Sequence, residues 1–109
     1  MQQRIEIVGI DGIEYCQIFQ CSEMPQIGFE IDIAEGVRLT NLISPSPNLF
    51  DSDTFILLIN SVLGITGTAL INLISNYLYD ILKNKKIIFS ESETKINIIV
   101  KSDDKNENI

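Results

Sequence analysis

Apolar and polar residues alternate through the first part of the chain. Residues 4–8 read Arg-Ile-Glu-Ile-Val, the period-two pattern of a strand with one buried face. Asp11-Gly12 follows; both residues tolerate positive φ, so the pair predicts a hairpin turn, with residues 13–20 as the returning strand. In that strand Ile13, Tyr15 and Phe19 share one side, and Glu14, Cys16 and Ile18 the other. Residues 21–26, containing Met24-Pro25, read as a loop because proline removes a ladder donor. Residues 27–33 give the cleanest alternation, with Ile27, Phe29, Ile31 and Ile33 on one face and Gly28, Glu30 and Asp32 on the other. Glu35-Gly36 predicts a turn, and residues 37–41 a fourth strand with Val37 and Leu39 inward.

The pattern then changes. Residues 44–48, Ser-Pro-Ser-Pro-Asn, form a stiff connector that neither helix nor sheet accommodates. Residues 54–79 carry no charge. Ser52 or Asp53 is placed to cap a helix beginning near Thr54. Gly64-Ile65-Thr66-Gly67 interrupts it, each glycine costing about 1 kcal/mol against alanine, so two segments near 53–63 and 67–84 are predicted. On the second, Leu70, Ile71, Leu73, Ile74, Tyr77, Leu78 and Ile81 share one half of the cylinder. Asn72, Ser75, Asn76, Tyr79, Asp80 and Lys83 share the other. Asn84, with Lys83, Lys85 and Lys86 around it, is a suitable helix stop. Residues 86–89 and 95–101 read as a final hairpin, with Ile96, Ile98 and Val100 alternating against Lys95, Asn97 and Lys101.

These elements predict an α+β fold. A mostly antiparallel sheet built from hairpins is covered on one face by a kinked or broken helix over about 53–84. Residues 1–101 form one domain and 102–109 a disordered acidic tail. The uncovered face, bearing Glu6, Glu14, Glu30 and Asp32, is expected to be wet and acidic.

The uncharged run admits a second reading. Residues 55–74 have the length of a membrane span, with small residues for close helix contact and lysines on one flank. Against this single-pass alternative stand the amphipathic second segment and the cost of Asn60, Asn72 and Asn76 in lipid. The soluble reading is preferred, and no membrane association is expected. With no signal peptide visible at the start, a cytoplasmic protein is expected.

Composition narrows the chemistry. The 109 residues include 15 acidic and 8 basic side chains, giving a formal charge of -7, which disfavours direct binding to nucleic acid. Histidine is absent, which removes Ser-His-Asp and Cys-His catalysis. Cys16 and Cys21 make a poor zinc site and are expected to be reduced. Glu30 and Asp32 share a strand face at a spacing used in acid–base chemistry, yet no nucleophile accompanies them. Asp51 and Asp53 resemble the opening of a calcium loop but lack its glycine and distal glutamate. Gly64-x-x-Gly67-Thr68 lacks the lysine of a phosphate-binding loop. No enzyme activity, cofactor, metal or small-molecule substrate is therefore expected.

Contact residues remain as candidates. Ser61, Gly64, Thr68, Asn72 and Ser75, spaced three and four apart, form a stripe of small or polar side chains suited to a helix–helix contact. Glu30 and Asp32 offer an acidic patch. Gly67, Thr68, Ala69, Tyr77, Leu78, Leu82 and Lys83, followed by a β-hairpin, make the last third resemble the C-terminal part of small bacterial effector-associated accessory domains. The resemblance implies an accessory role in a bacterial or phage conflict or signalling system, acting through protein contacts. The expected function is a non-enzymatic interaction module that binds a protein partner or itself as a homo-oligomer. The alternative is an acidic phage or mobile-element inhibitor that blocks a basic nucleic-acid groove on a host defence protein.

Overall fold

The computed structural model describes residues 2–44, 54–62, 64–65, 67–83, 85–92 and 94–102. Its elements in chain order are β1 (Gln2–Val8), α1 (Gly12–Ile18), β2 (Glu30–Ala34), β3 (Val37–Asn41), β4 (Thr54–Ser61), α2 (Gly67–Ile81), β5 (Lys85–Glu91) and β6 (Lys95–Ser102). The strands form one sheet in the order β2-β3-β4-β1-β6-β5. Every neighbouring pair is antiparallel except β1 with β6. This is the α+β architecture that the alternating segments predict.

Both helices cover the same sheet face. Tyr15, Ile18 and Phe19 from the first helical region join Leu70, Ile74, Leu78 and Leu82 from the second in one core. The strands contribute Ile5, Ile7, Val37, Leu39, Phe55, Leu57, Ile59, Ile87, Ile96, Ile98 and Val100 to it. Leu70, Ile74 and Leu78 recur every fourth residue, the spacing that keeps one helical stripe against a sheet.

The strand expected over 27–33 begins only at Glu30, leaving Ile27 and Phe29 exposed before it, and two further segments differ from their sequence reading in kind. Asp11-Gly12 opens a helix, not a hairpin. Asp11 Oδ1 accepts from the Glu14 amide at 2.8 Å, and Glu14 Oε1 accepts from the Asp11 amide at 3.1 Å. This reciprocal cap satisfies two otherwise orphaned donors, and residues 13–18 then follow a helical period with Tyr15, Cys16 and Ile18 buried. The same side-chain oxygen that suits a turn suits a helix N-cap.

The expected first helical segment near 53–63 is the strand β4. It lies between β3 and β1 in the sheet, with Phe55, Leu57 and Ile59 in the core and the half-buried but equally apolar Ile56 and Leu58 on the opposite face, so its residues read as a continuous apolar run. Only the second segment, Gly67–Ile81, is helical. Residues 55–74 are thus divided between a strand and a helix, and no helix among the described residues is long and apolar enough to cross a membrane. The proline connector falls largely, and the tail beyond Ser102 wholly, outside the described residues.

Asn41 organises the remaining loop. Its Nδ2 donates to the carbonyls of Pro25, Gln26 and Ile43 at 2.9, 3.0 and 2.8 Å. Gly28 and Phe29 extend the β2–β3 ladder through the Asn41 backbone. Residues 20–29 are thereby anchored to the sheet with no regular structure of their own.

Candidate functional site

Glu30 and Asp32 lie on the outer face of β2, as their alternation requires, but they are not a free carboxylate pair. Arg38 stands opposite on β3, with Nε 2.8 Å from Asp32 Oδ1 and Nη1 3.6 Å from Glu30 Oε1. The Thr40 hydroxyl donates to Glu30 Oε2 at 3.1 Å. One guanidinium therefore answers both acids.

The small-residue stripe divides between elements. Ser61 ends β4 with its side chain buried, where Oγ accepts from the Ile65 amide at 2.9 Å. Gly64 sits in the connection to α2 at φ 71. Thr68 and Asn72 are exposed on α2, and the half-buried Ser75 donates to the Ile71 carbonyl at 2.7 Å. Thr68, Asn72 and Ser75 keep the predicted helical spacing; Ser61 does not join them, because its segment is a strand.

Cys16 and Cys21 are both free thiols. Cys16 Sγ lies 3.1 Å from Met24 Sδ, and burial pushes its thiol above the ordinary range. A reactive thiolate is disfavoured there. Among the described residues no group of carboxylates and thiols is placed to hold a metal ion.

An extended surface is formed by the sheet face opposite the helices. Strand pairing sets its side chains in rows. One row runs Thr40, Leu58, Arg4, Lys95 from β3 to β6. The next runs Ile56, Glu6, Asn97, Ser90, and the next Thr54, Val8, Ile99, Ile88. Beyond these, Lys101 faces Lys86 directly across β6 and β5. Ile88 and Ile99 are 37% and 39% exposed, large values for apolar strand residues. Leu42 adds another exposed side chain where its amide extends the ladder to the Ile56 carbonyl. A diagonal apolar band from Leu42 through Ile56 and Val8 to Ile88 results.

The charge of this face differs from the acidic surface expected. Glu14 is on α1, in the helical layer, where it pairs with Lys85 at 3.4 Å. The open face carries Arg4, Arg38, Lys86, Lys95 and Lys101 against Glu6, Glu30 and Asp32. At its centre Glu6 Oε2 lies 3.4 Å from Arg4 Nε and 3.2 Å from Lys95 Nζ, leaving that cluster with a net positive charge. Six of the acidic residues, Asp51, Asp53, Glu93, Asp103, Asp104 and Glu107, lie outside the described residues. The chain is acidic; its open sheet face is not.

Sequence reasoning missed this band, although a signal was present. Ile87-Ile88-Phe89 and Ile98-Ile99-Val100 are apolar triplets inside strands that otherwise alternate. Such triplets mean that both strand faces are apolar at that point.

Among the described residues, the fold and this surface define a two-layer α+β protein with one sheet face covered by helices and one open. No family model, curated protein or solved structure matches the chain.

Proposed function

We propose that this chain is a small non-enzymatic protein-interaction module whose open sheet face receives an acidic protein surface with an apolar ridge. The row Val8–Ile99–Ile88 running beside Lys101 and Lys86 carries the reading. Two lysines directly opposed across strands repel each other, an arrangement relieved when an anionic group sits between them. The adjoining isoleucines leave apolar area for a partner to cover. Nucleic acid is a poorer fit. Among the described residues no aromatic ring lies on this face for base stacking. The resemblance of the last third suggests an accessory component of a bacterial or phage conflict or signalling system, acting in the cytoplasm.

An acidic amphipathic helical peptide, titrated into isotope-labelled protein, tests the reading. The expected result is amide shifts centred on Lys86, Ile88, Ile99 and Lys101, weakening as salt rises, and lost in Ile99→Asp. Shifts confined to Thr68, Asn72 and Ser75 would transfer the contact to α2 and overturn the open-face assignment. Binding of a polylysine probe in place of the acidic peptide would overturn it in favour of the inhibitor alternative.

A further inference from the structure

The sheet ends in two edge strands, and they differ. β2 has five residues, a register shift between Asp32 and Ala34, and two carboxylates tied to Arg38. Short length, a bulge and charge all discourage pairing with another strand. β5 has seven residues, and its seven Cα pairs with β6 run in register without a shift.

The direction of the β5 backbone groups can be read from two bonds. The Ser92 amide donates to the Lys95 carbonyl at 2.9 Å, which makes that pair a hydrogen-bonded rung of the hairpin. Counting back by twos, Ser90, Ile88 and Lys86 bond to β6, whereas Glu91, Phe89, Ile87 and Lys85 turn their amides and carbonyls outward. The Tyr79 hydroxyl agrees, reaching the outward Ile87 carbonyl from α2 at 3.2 Å. Four consecutive outward rungs are thus available for another strand.

We infer that β5 pairs antiparallel with β5 of a second copy, about a two-fold axis at Ile88, joining the two sheets into one. Only outward-facing residues can bond across the new edge, so the register moves in steps of two residues. With the axis at Ile88, Lys85 meets Glu91, Ile87 meets Phe89 and Ile88 meets Ile88, each pair on one face of the sheet. A shift one way sets Lys85 against Phe89, and the other way sets Ile87 against Glu91. One register matches charge with charge and apolar with apolar at these rungs. Lysines on an edge ordinarily discourage pairing; here Lys85, which also reaches Glu14, gains a second acidic neighbour. The Ile87 carbonyl has two lone pairs and can accept from the second copy beside the Tyr79 hydroxyl. On the open face Ile88, 37% exposed, is covered by its own counterpart. This association uses the strand edge, shares Ile88 with the open-face contact, and is tested without any partner on that face.

Sedimentation equilibrium of the full chain, without added peptide, tests the inference by charge exchange. The wild-type chain is expected to form a dimer that grows with concentration. Its affinity is modest, because an edge contact buries less than about 1,200 Å². Lys85→Glu alone sets two carboxylates against each other and Glu91→Lys alone two lysines, so each is expected to weaken the dimer by at least about tenfold, roughly 1.4 kcal/mol. Mixing the two variants restores both attractive pairs and is expected to give a heterodimer of near wild-type affinity. The double variant K85E/E91K is expected to dimerise again. Circular dichroism of each variant confirms that the fold is retained. A wild-type chain that stays monomeric at millimolar concentration overturns the inference, as does a dimer indifferent to both reversals or a mixture that fails to recover. Ile88→Cys supplies a second measurement: self-crosslinking on oxidation supports the axis, and its absence in a proven dimer places the axis elsewhere.

Discussion

The Tyr15 hydroxyl donates to Asn41 Oδ1 at 2.6 Å inside a core where both side chains are fully buried. This bond ties α1 to β3 across the helical layer. Asn41 distributes the connection further, holding Pro25, Gln26 and Ile43 through its amide nitrogen, while Oδ1 also accepts from the Ile43 amide at 3.0 Å. A buried amide so fully paired fixes an irregular loop that has few other means of order.

Removal of the two partners should not be equivalent. Tyr15→Phe leaves Asn41 Oδ1 with the Ile43 amide and is expected to cost about 1 kcal/mol. Asn41→Ala strands the Tyr15 hydroxyl with a 3.3 Å contact to the Ile56 carbonyl and releases three loop carbonyls, so about 3 kcal/mol is expected. Urea unfolding of the two variants measures the difference; equal costs would show that Asn41 is not the organising residue.

Alkaline pH should unfold the protein through the same tyrosine. Burial, with a smaller contribution from Cys16, raises the Tyr15 hydroxyl well above its ordinary 10.0. Tyr77 is raised in the same direction by burial, against a lowering hydrogen bond from Gln20. The folded chain therefore keeps protons that the unfolded chain loses. Stability is fully present below pH 10 and falls above it, by up to about 1.4 kcal/mol per pH unit for Tyr15. Thermal melts from pH 8 to 12, marked by a shallower decline in Tyr15→Phe, check this; the pH range is chosen roughly about the tyrosine reference value.

Gly9 and Gly28 both hold positive φ, at 92 and 86, yet their alanine variants should differ. A Cβ on Gly9 would sit 1.9 Å from the Val100 carbonyl oxygen, whereas one on Gly28 meets nothing within 4 Å. Gly28→Ala carries only the left-handed backbone cost of roughly 1–2 kcal/mol. Gly9→Ala must also displace β6, and its cost is expected to exceed about 4 kcal/mol. Differential scanning calorimetry of the pair separates backbone strain from collision.

Asp11→Ala tests whether the cap holds α1 in place. Loss of the bond from the Glu14 amide to Asp11 Oδ1 is expected to cost about 1 kcal/mol, since the backbone amide at position 11 can still donate to Glu14, and Asp11→Asn should recover most of it because the amide oxygen still accepts. A neutral result for Asp11→Ala in chemical denaturation would show that Tyr15, Ile18 and Phe19 anchor the helix without its cap.

Much of the architecture is legible along the chain. Strict alternation marks β1 and β3, the 3.6-residue stripe of Leu70, Ile74 and Leu78 marks α2, and the Ile96–Ile98–Val100 alternation marks the last strand. α1 is not legible, because an Asp-Gly pair suits both a hairpin and a capped helix start. β4 is not legible either: its run shows no period because Ile56 and Leu58 on the open face are as apolar as Phe55, Leu57 and Ile59 in the core. The loss of Ser61 from the small-residue stripe follows from that ambiguity. The candidates Thr68, Asn72 and Ser75 keep their shared helical face, and Glu30 and Asp32 keep theirs, but Arg38 was not seen as their common partner.

Sequence alone determined that this chain is an acidic α+β protein without histidine, with a hairpin at its end and an amphipathic helix before it. Those properties are local: periodicity and residue chemistry act over a turn of helix or a few strand residues. Tertiary structure decided which strands are neighbours, and so which charges meet. Glu6 and Arg4 meet Lys95 because strand order sets β6 beside β1, joining residues far apart in the chain. Net charge is a sum and keeps no record of position, so an acidic chain can present a basic, apolar sheet face that no count of its residues reveals.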